Sequence, residues 1–311
     1  METLSIIGSG TMGHSIALNA AWRDMDVRMY ATNEEDIRRA EQGIVQKLRT
    51  MADNGLFSLD EAAAIRKKIT ISDQLETVVD GATFVIEAIP ENLELKQQFY
   101  SRLEELIGQE TILASNTSGL QPSDLAAGLL HPGRFVVTHF WNPAHLVPLV
   151  EVVGGKQTSD ATIERAMELM YAMQKKPIVV KQEIQGFIGN RLQYALFREA
   201  QALLDAGVAD KEDIDAAVTY SIGRRLPVTG PLMSADFGGL DVFKSISDYL
   251  FSDLSTLKAS GKTLDSLAGS GKLGVKSGEG FYDWSGNRSG EIAEERENML
   301  IRFLKDDERK G

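Results

Sequence analysis

Short apolar runs alternate with segments of helical period over roughly the first 180 residues of the chain. LSIIG (4–8), VRMY (27–30), FVIEAI (84–89), TILASN (111–116), RFVVTHF (134–140), LVPLVEVV (146–153) and KPIVVK (176–181) read as strands. Their near-continuous apolar character is that of strands covered on both faces. Helical spacing fills the gaps at 13–24, 34–52, 94–107 and 159–174. Strands alternating with helices predict a parallel sheet with helices on each side. Residues 34–68 hold two helical patterns joined at Asn54-Gly55, a helical-hairpin insertion larger than an ordinary crossover.

From Gly186 onward the strand signal stops. Residues 188–207 carry apolar positions at helical spacing and end in glycine, 211–223 continue the pattern, and it runs on to about 268. The expected organisation is an α/β Rossmann-type doubly wound sheet over 1–185 and an all-α C-terminal domain over 186–311. The charged tail, SGEIAEERENMLIRFLKDDERKG, is expected to form a solvated terminal helix.

Composition narrows the function classes. At 43% hydrophobic and 25% charged, the chain is globular rather than disordered. A net charge of -12 argues against a nucleic-acid partner, which needs a basic face. The N-terminus enters a strand at once, without the basic and apolar regions of a signal peptide, and no run of about 18 apolar residues suggests a membrane span. With no cysteine there is no disulfide framework, thiolate nucleophile or cysteine metal site, which fits a reducing, cytoplasmic setting. A small-molecule substrate is the expected partner, and no metal site is expected.

GSGTMG (8–13) is a G-x-G-x-x-G between a strand and a helix, the context that gives this motif meaning. Gly8 permits the tight turn, Gly10 lets the backbone approach a pyrophosphate, and Gly13 lets helix and strand pack closely. Free N–H groups at the helix start favour the anion. Thr11 and Met12, within the turn, and Thr32, just past the second strand, complete the expected contacts around it. The acid that should grip the adenosine ribose is missing: VRMY is followed by Ala31. NAD is the expected cofactor. NADP stays open, because loss of that carboxylate removes repulsion against a 2′-phosphate, although Arg38 and Arg39 lie a turn or more into the next helix.

Glu151 interrupts the apolar run PLVEVV, and a buried unpaired charge is costly. His139, closing RFVVTHF twelve residues earlier, is the basic group that residues 141–148 could bring against it. Ligands of open parallel sheets bind outside the carboxyl ends of strands, where His139 lies. A carboxylate on one imidazole nitrogen fixes the tautomer of a general base. Of the other histidines, His14 is expected to pack in the first helix, His131 to lie on the surface, and His145 to be exposed in a loop.

GSGTMG, EAIPENLELK (87–96), SNTSGL (115–120), HFWNP (139–143), PLVEVV (148–153), GFIGNRL (186–192) and KSGEGFYDW (276–284), in that order, resemble the L-3-hydroxyacyl-CoA dehydrogenase family over nearly the whole chain. The resemblance implies an NAD(P)-dependent oxidation of a CH–OH group. His139 would be the base, Glu151 its orienting partner, and Ser118 and Asn190 hydrogen-bond donors to the reacting oxygen. Asn142 and Glu91 would line the nicotinamide side, with Lys96 near the ribose. It also implies a homodimer through the helical domain. Ser118 and Asn190 could instead cap helices.

Two departures bear on the substrate. Acyl-CoA-specific members place lysines in the helical insertion, whereas RTMADNG (49–55) has Asp53 and Asn54 there. SIGRRLPVTGPL (221–232) offers Arg224 and Arg225, a fork suited to a free carboxylate, although these could simply close a helix or pair with surface acids. These features resemble the free-acid branches of the family: carnitine dehydrogenase, the gulonate dehydrogenase/lambda-crystallin group, and the pyridine-carboxylate dehydrogenase of vitamin B6 degradation. Three functions therefore stand beside one another: a 3-hydroxyacyl thioester dehydrogenase, a dehydrogenase of a small free hydroxy acid or hydrated aldehyde acid, and a dinucleotide-binding protein without turnover.

Overall fold

The computed structural model describes residues 2–310. Eight strands form one sheet in the order β3-β2-β1-β4-β5-β6-β7-β8. They are β1 (Leu4–Ile7), β2 (Val27–Tyr30), β3 (Ile69–Ser72), β4 (Phe84–Glu87), β5 (Ile112–Ser115), β6 (Phe135–Phe140), β7 (Leu149–Gly154) and β8 (Lys176–Val180). Neighbours are parallel except β6 and β7, which run antiparallel. The chain reverses direction across the sheet at β1, between β2 and β4, and that crevice is where such folds bind dinucleotides.

The helices are α1 (Thr11–Trp22), α2 (Glu34–Asp53), α3 (Leu59–Lys67), α4 (Leu75–Val79), α5 (Leu93–Glu104), α6 (Pro122–Leu125) and α7 (Asp160–Ala172), followed by α8 (Gly189–Asp205). Their starts follow local chemistry. The Asn33 side chain accepts from Asp36 N to begin α2, and Ser58 with Glu61 forms a capping box on α3. The expected Asn54-Gly55 joint lies between α2 and α3, with Gly55 at φ 71°, a conformation glycine adopts without strain. Leu4, Ile6, Phe84 and Ile86 fill the core on one sheet face; Ile7, Val85, Leu113 and Phe135 fill it on the other.

β3 and α4 escape the hydrophobic pattern. ITIS is a four-residue strand with only Ile69 buried, so its apolar run is too short to stand out. LETVV is a single turn and a half, below the length at which period is readable.

Two compact units are present, Met1–Asn190 together with Glu295–Gly311, and Arg191–Glu294. The cut between the compact units falls between Asn190 and Arg191, and the C-terminal segment from Glu295 joins the first unit. The reason lies in α14 (Arg288–Lys310): Ile301 is 1% and Leu304 8% exposed within the first unit's core, and the Lys305 ammonium donates to the Asn54 carbonyl. Three residues apart on a helix, Ile301 and Leu304 share one face. The tail is thus a docked amphipathic helix, not a wholly solvated one.

The second unit holds most of α8, then α9 (Lys211–Ala217), α10 (Gly223–Arg225), α11 (Pro231–Gly238), α12 (Leu240–Leu250) and α13 (Lys262–Gly269). Asp205 accepts from the Lys262 and Thr263 amides, pinning the start of α13 to the end of α8. Buried positions in this unit are confined to Gln201, Ile214 and Gly261. Phe237 and Leu232, each 84% exposed, and Val228, at 81%, stand uncovered. Among the described residues, no helix is long and apolar enough to cross a membrane.

Candidate active site

Sheet register brings the two expected catalytic side chains together. His139 and Glu151 are direct partners across antiparallel β6 and β7, so their side chains share a sheet face. His139 Nδ1 lies 2.8 Å from Glu151 Oε2. Glu151 is fully buried and His139 is 6% exposed. The other carboxylate oxygen, Oε1, accepts from the Ile188 amide at 2.8 Å and the Gly189 amide at 3.0 Å, and Trp141 Nε1 lies 3.4 Å from Oε2. Burial raises the Glu151 pKa, but the bonds from His139, Gly189 and Ile188 outweigh it and hold the carboxyl below its ordinary value. An ionised Glu151 requires the hydrogen on Nδ1 of His139, which leaves the lone pair on Nε2. Trp141 and Phe187 flank the imidazole at ring distances of 5.4 and 5.7 Å. This is the partner that a carboxylate inside PLVEVV demanded.

The second cluster lies at the ends of β4 and β5. Glu91 Oε1 accepts from Thr117 Oγ1 at 2.6 Å, the Ser118 amide at 2.9 Å and Ser118 Oγ at 3.2 Å. Asn190 Nδ2 donates to the Ser118 carbonyl at 2.9 Å. Ser118, Asn190 and Glu91 are therefore assembled as one group. α6 begins at Pro122, and its N-cap residue Gln121 makes no side-chain cap bond; the Asn190 amide nitrogen donates to the Ser118 carbonyl. Asn142 is exposed in the loop after β6, preceding a cis proline.

Glu87 was not singled out from the sequence, although it poses the same question as Glu151, a carboxylate within FVIEAI. Fully buried at the end of β4, it accepts from Lys96 Nζ at 2.6 Å, the Ile89 amide at 2.6 Å, Ser115 Oγ at 2.8 Å and the Tyr100 hydroxyl. Lys96, 1% exposed, bridges Glu87 and, at 3.6 Å, Glu91. Burial first, and Glu87 second, push the Tyr100 hydroxyl well above its ordinary pKa, so it stays a donor.

The glycine turn fits a dinucleotide. Gly8 has φ 104°, and a Cβ there would lie 2.7 Å from the Ala88 carbonyl oxygen. A Cβ on Gly13 would lie 1.8 Å from the Gly8 carbonyl oxygen, while one on Gly10 would meet nothing within 4 Å. That open face is a cradle only a glycine leaves clear. The first turn of α1 has no acidic residue and no side-chain cap, so the amides of Thr11, Met12 and Gly13 point outward without an intrahelical acceptor. Thr32 is exposed just past β2, and Ala31 is 1% exposed.

His14 packs, as expected. Its Nδ1 lies 3.2 Å from the Ser9 carbonyl and its Nε2 2.9 Å from Lys47 Nζ. Burial, and then the Lys47 charge, lower its pKa to about 4. Unfolded histidine titrates near 6.5, so between the two values the unfolded chain binds a proton that the folded chain refuses. Stability is whole above that window and falls as pH drops through it, by about 3 kcal/mol for this group. The His14→Gln variant is expected to show a flatter loss of denaturant stability between neutral pH and pH near 4.5. An identical pH slope in both proteins would contradict the assignment. His145, expected in an exposed loop, is 1% exposed and bonded to Ser15 Oγ at 2.7 Å. The loop around it is itself apolar, with Ala144 and Leu146 buried, and α1 covers the imidazole through Ser15.

Arg224 and Arg225 lie exposed in the second unit, with the Arg224 guanidinium 5.3 Å from the Tyr220 ring centre.

Comparison with known proteins agrees with this geometry. Residues 3–184 match the NAD binding domain of 3-hydroxyacyl-CoA dehydrogenase, and residues 186–284 match its C-terminal domain. A 5-formyl-3-hydroxy-2-methylpyridine 4-carboxylate 5-dehydrogenase from Mesorhizobium japonicum is 35% identical over 97% of this chain and 96% of its own length. A probable 3-hydroxybutyryl-CoA dehydrogenase from Bacillus subtilis is 36% identical over 91% of this chain and 98% of its own. The crystal structure of a 5-dehydrogenase of the same pyridine carboxylate, described as an NAD+ dependent dismutase, superposes with a TM-score of 0.91 at 35% identity, covering 98% of this chain and 99% of that one. With a dinucleotide turn at the sheet's crevice and a His–Glu pair at its carboxyl edge, the chain belongs to the 3-hydroxyacyl-CoA dehydrogenase family and is an NAD-dependent dehydrogenase acting on CH–OH groups.

Proposed function

We propose that the substrate is a small free carboxylate bearing an alcohol or a hydrated aldehyde, rather than a CoA thioester. The carrying observation is the state of the helical insertion. Arg49, the basic residue of RTMADNG, is turned onto Asp53 of its own helix at 3.8 Å. The rim where CoA phosphates would dock therefore carries little net positive charge, on a chain already at -12. Relatedness to a pyridine-carboxylate dehydrogenase over almost the full length of both chains supports the same choice. The thioester reading has its own support in the Bacillus subtilis relative.

Bound NAD supplies the hydride acceptor. Gly8, Gly10, Thr11, Met12 and Gly13 hold its pyrophosphate, Thr32 its adenosine ribose, and Glu91, Lys96 and Asn142 its nicotinamide half. Nε2 of His139 takes the alcohol proton as the hydride leaves carbon. Glu151 holds Nδ1–H and stabilises the imidazolium that results. Ser118 and Asn190 hydrogen-bond the reacting oxygen and polarise the carbonyl in the reverse direction. Arg224 and Arg225 bind the substrate carboxylate. The preference for NAD over NADP, a cytoplasmic setting and a homodimer complete the proposal. The dimer is supported by the second unit's uncovered apolar helices: α11 and α12 have no buried residue, and short helices draw their stability from a packed apolar face.

NADH oxidation by acetoacetyl-CoA, free acetoacetate and a panel of carboxylated aldehydes tests the substrate class. Turnover of free acids is expected, and Arg225→Ala is expected to raise KM for them at least about tenfold, a loss of about 1.4 kcal/mol. Turnover of the thioester alone would reverse the proposal.

A further inference from the structure

Cofactor choice in this chain has no acid at the usual place, since Ala31 ends β2 with a buried methyl group. The next residue supplies an oxygen. Thr32 Oγ1 lies 2.7 Å from Asp36 Oδ2, and the geometry makes the threonine the donor. Asn33 Nδ2 donates to the same oxygen at 3.0 Å. The Arg39 guanidinium closes on Asp36 Oδ1 and lies 4.0 Å from Glu35. Asp36 is consequently fixed from three sides, with its side chain 21% exposed. The Thr32 bond is the main cause that lowers its pKa, so the carboxylate is ionised at neutral pH.

We propose that Asp36, acting through Thr32, replaces the missing carboxylate and makes the chain select NAD over NADP. The proposal deepens the NAD preference stated above and rests on it. A hydroxyl can donate one hydrogen and accept with its lone pairs. With its hydrogen committed to Asp36, Thr32 Oγ1 presents only lone pairs. It can accept from a ribose 2′-OH, which carries a hydrogen, but offers nothing to a 2′-phosphate, which is itself an acceptor. Asp36, Glu34 and Glu35 crowd the first turn of α2 with negative charge and repel the phosphate further. Arg39, which could otherwise meet a phosphate, is neutralised by the same Asp36. Asp36 is thus a positioning residue: it sets the polarity of Thr32 and occupies Arg39.

The test is equilibrium binding of NADH and NADPH, read by cofactor fluorescence on the full chain. The wild type is expected to bind NADH more tightly than NADPH by at least about tenfold. Asp36→Asn keeps the backbone amide that Asn33 caps, removes the charge and frees Arg39. It is expected to shrink the NADH preference at least about tenfold, mainly by tightening NADPH. Thr32→Ala is expected to weaken NADH several-fold and leave NADPH unchanged. A wild type that prefers NADPH would overturn the NAD preference itself. A wild type that prefers NADH, with the same ratio in Asp36→Asn, would leave that preference standing and overturn the role of Asp36. A plain capping role would lower the melting temperature without moving the ratio.

Discussion

His139→Ala is expected to lower kcat by at least about a hundredfold while leaving the affinity for NADH unchanged. The imidazole is the proposed base and lies at the carboxyl edge of the sheet, whereas the glycine turn lies between β1 and α1, held by glycines that do not touch it. Glu151→Gln sharpens the test. The amide oxygen can still accept from the Ile188 and Gly189 amides, so the loop before α8 keeps its anchor. Its NH2 group would then face Nδ1, and a donor there forces the hydrogen onto Nε2, the wrong tautomer for a base. The glutamine variant should therefore lose turnover while melting close to the wild type. Full turnover in His139→Ala would remove the histidine from the chemistry. Turnover lost together with NADH binding would mean that the substitution disturbs the fold rather than the proton transfer.

The dyad was legible because two independent constraints met on it. A carboxylate inside PLVEVV needs a partner, and a histidine at a strand's end lies where open sheets bind ligands. The register that pairs them, His139 with Glu151, follows from two strands joined by a loop short enough to return antiparallel. Glu87 satisfied the first constraint equally well, but its partners Lys96, Tyr100 and Ser115 come from α5 and β5, and no sequence spacing announces that meeting. The docking of α14 was hidden for a related reason. Ile301 and Leu304 belong to the short apolar run MLIRFL (299–304) in a segment otherwise dominated by charge, and the site that buries them is built by residues far away in the chain. Asp36 stands outside the usual pattern because it lies in α2, past the end of β2 where a ribose-binding acid is expected. The Thr32–Asp36 bond reaches into the first turn of the following helix.

Gly13→Ala is expected to weaken NADH binding by at least about a hundredfold, some 2.7 kcal/mol, and to lower the melting temperature as well. The added methyl would lie 1.8 Å from the Gly8 carbonyl oxygen, which is backbone and has no rotamer to yield. Gly8 cannot retreat, because its own φ of 104° and its approach to the Ala88 carbonyl fix it against β4. The strain can only lift the start of α1 off β1, which turns the amides of Thr11, Met12 and Gly13 away from the pyrophosphate. Gly10→Ala separates binding from folding. A Cβ there meets nothing within 4 Å, so the folded chain should melt like the wild type. The methyl would instead occupy the space through which the pyrophosphate approaches the backbone. NADH titrations and thermal melts on both variants decide the matter. Loss of binding with an unchanged melt in Gly10→Ala, beside loss of both in Gly13→Ala, is the expected pair. Unimpaired NADH binding in Gly10→Ala would mean that the cofactor does not use this turn.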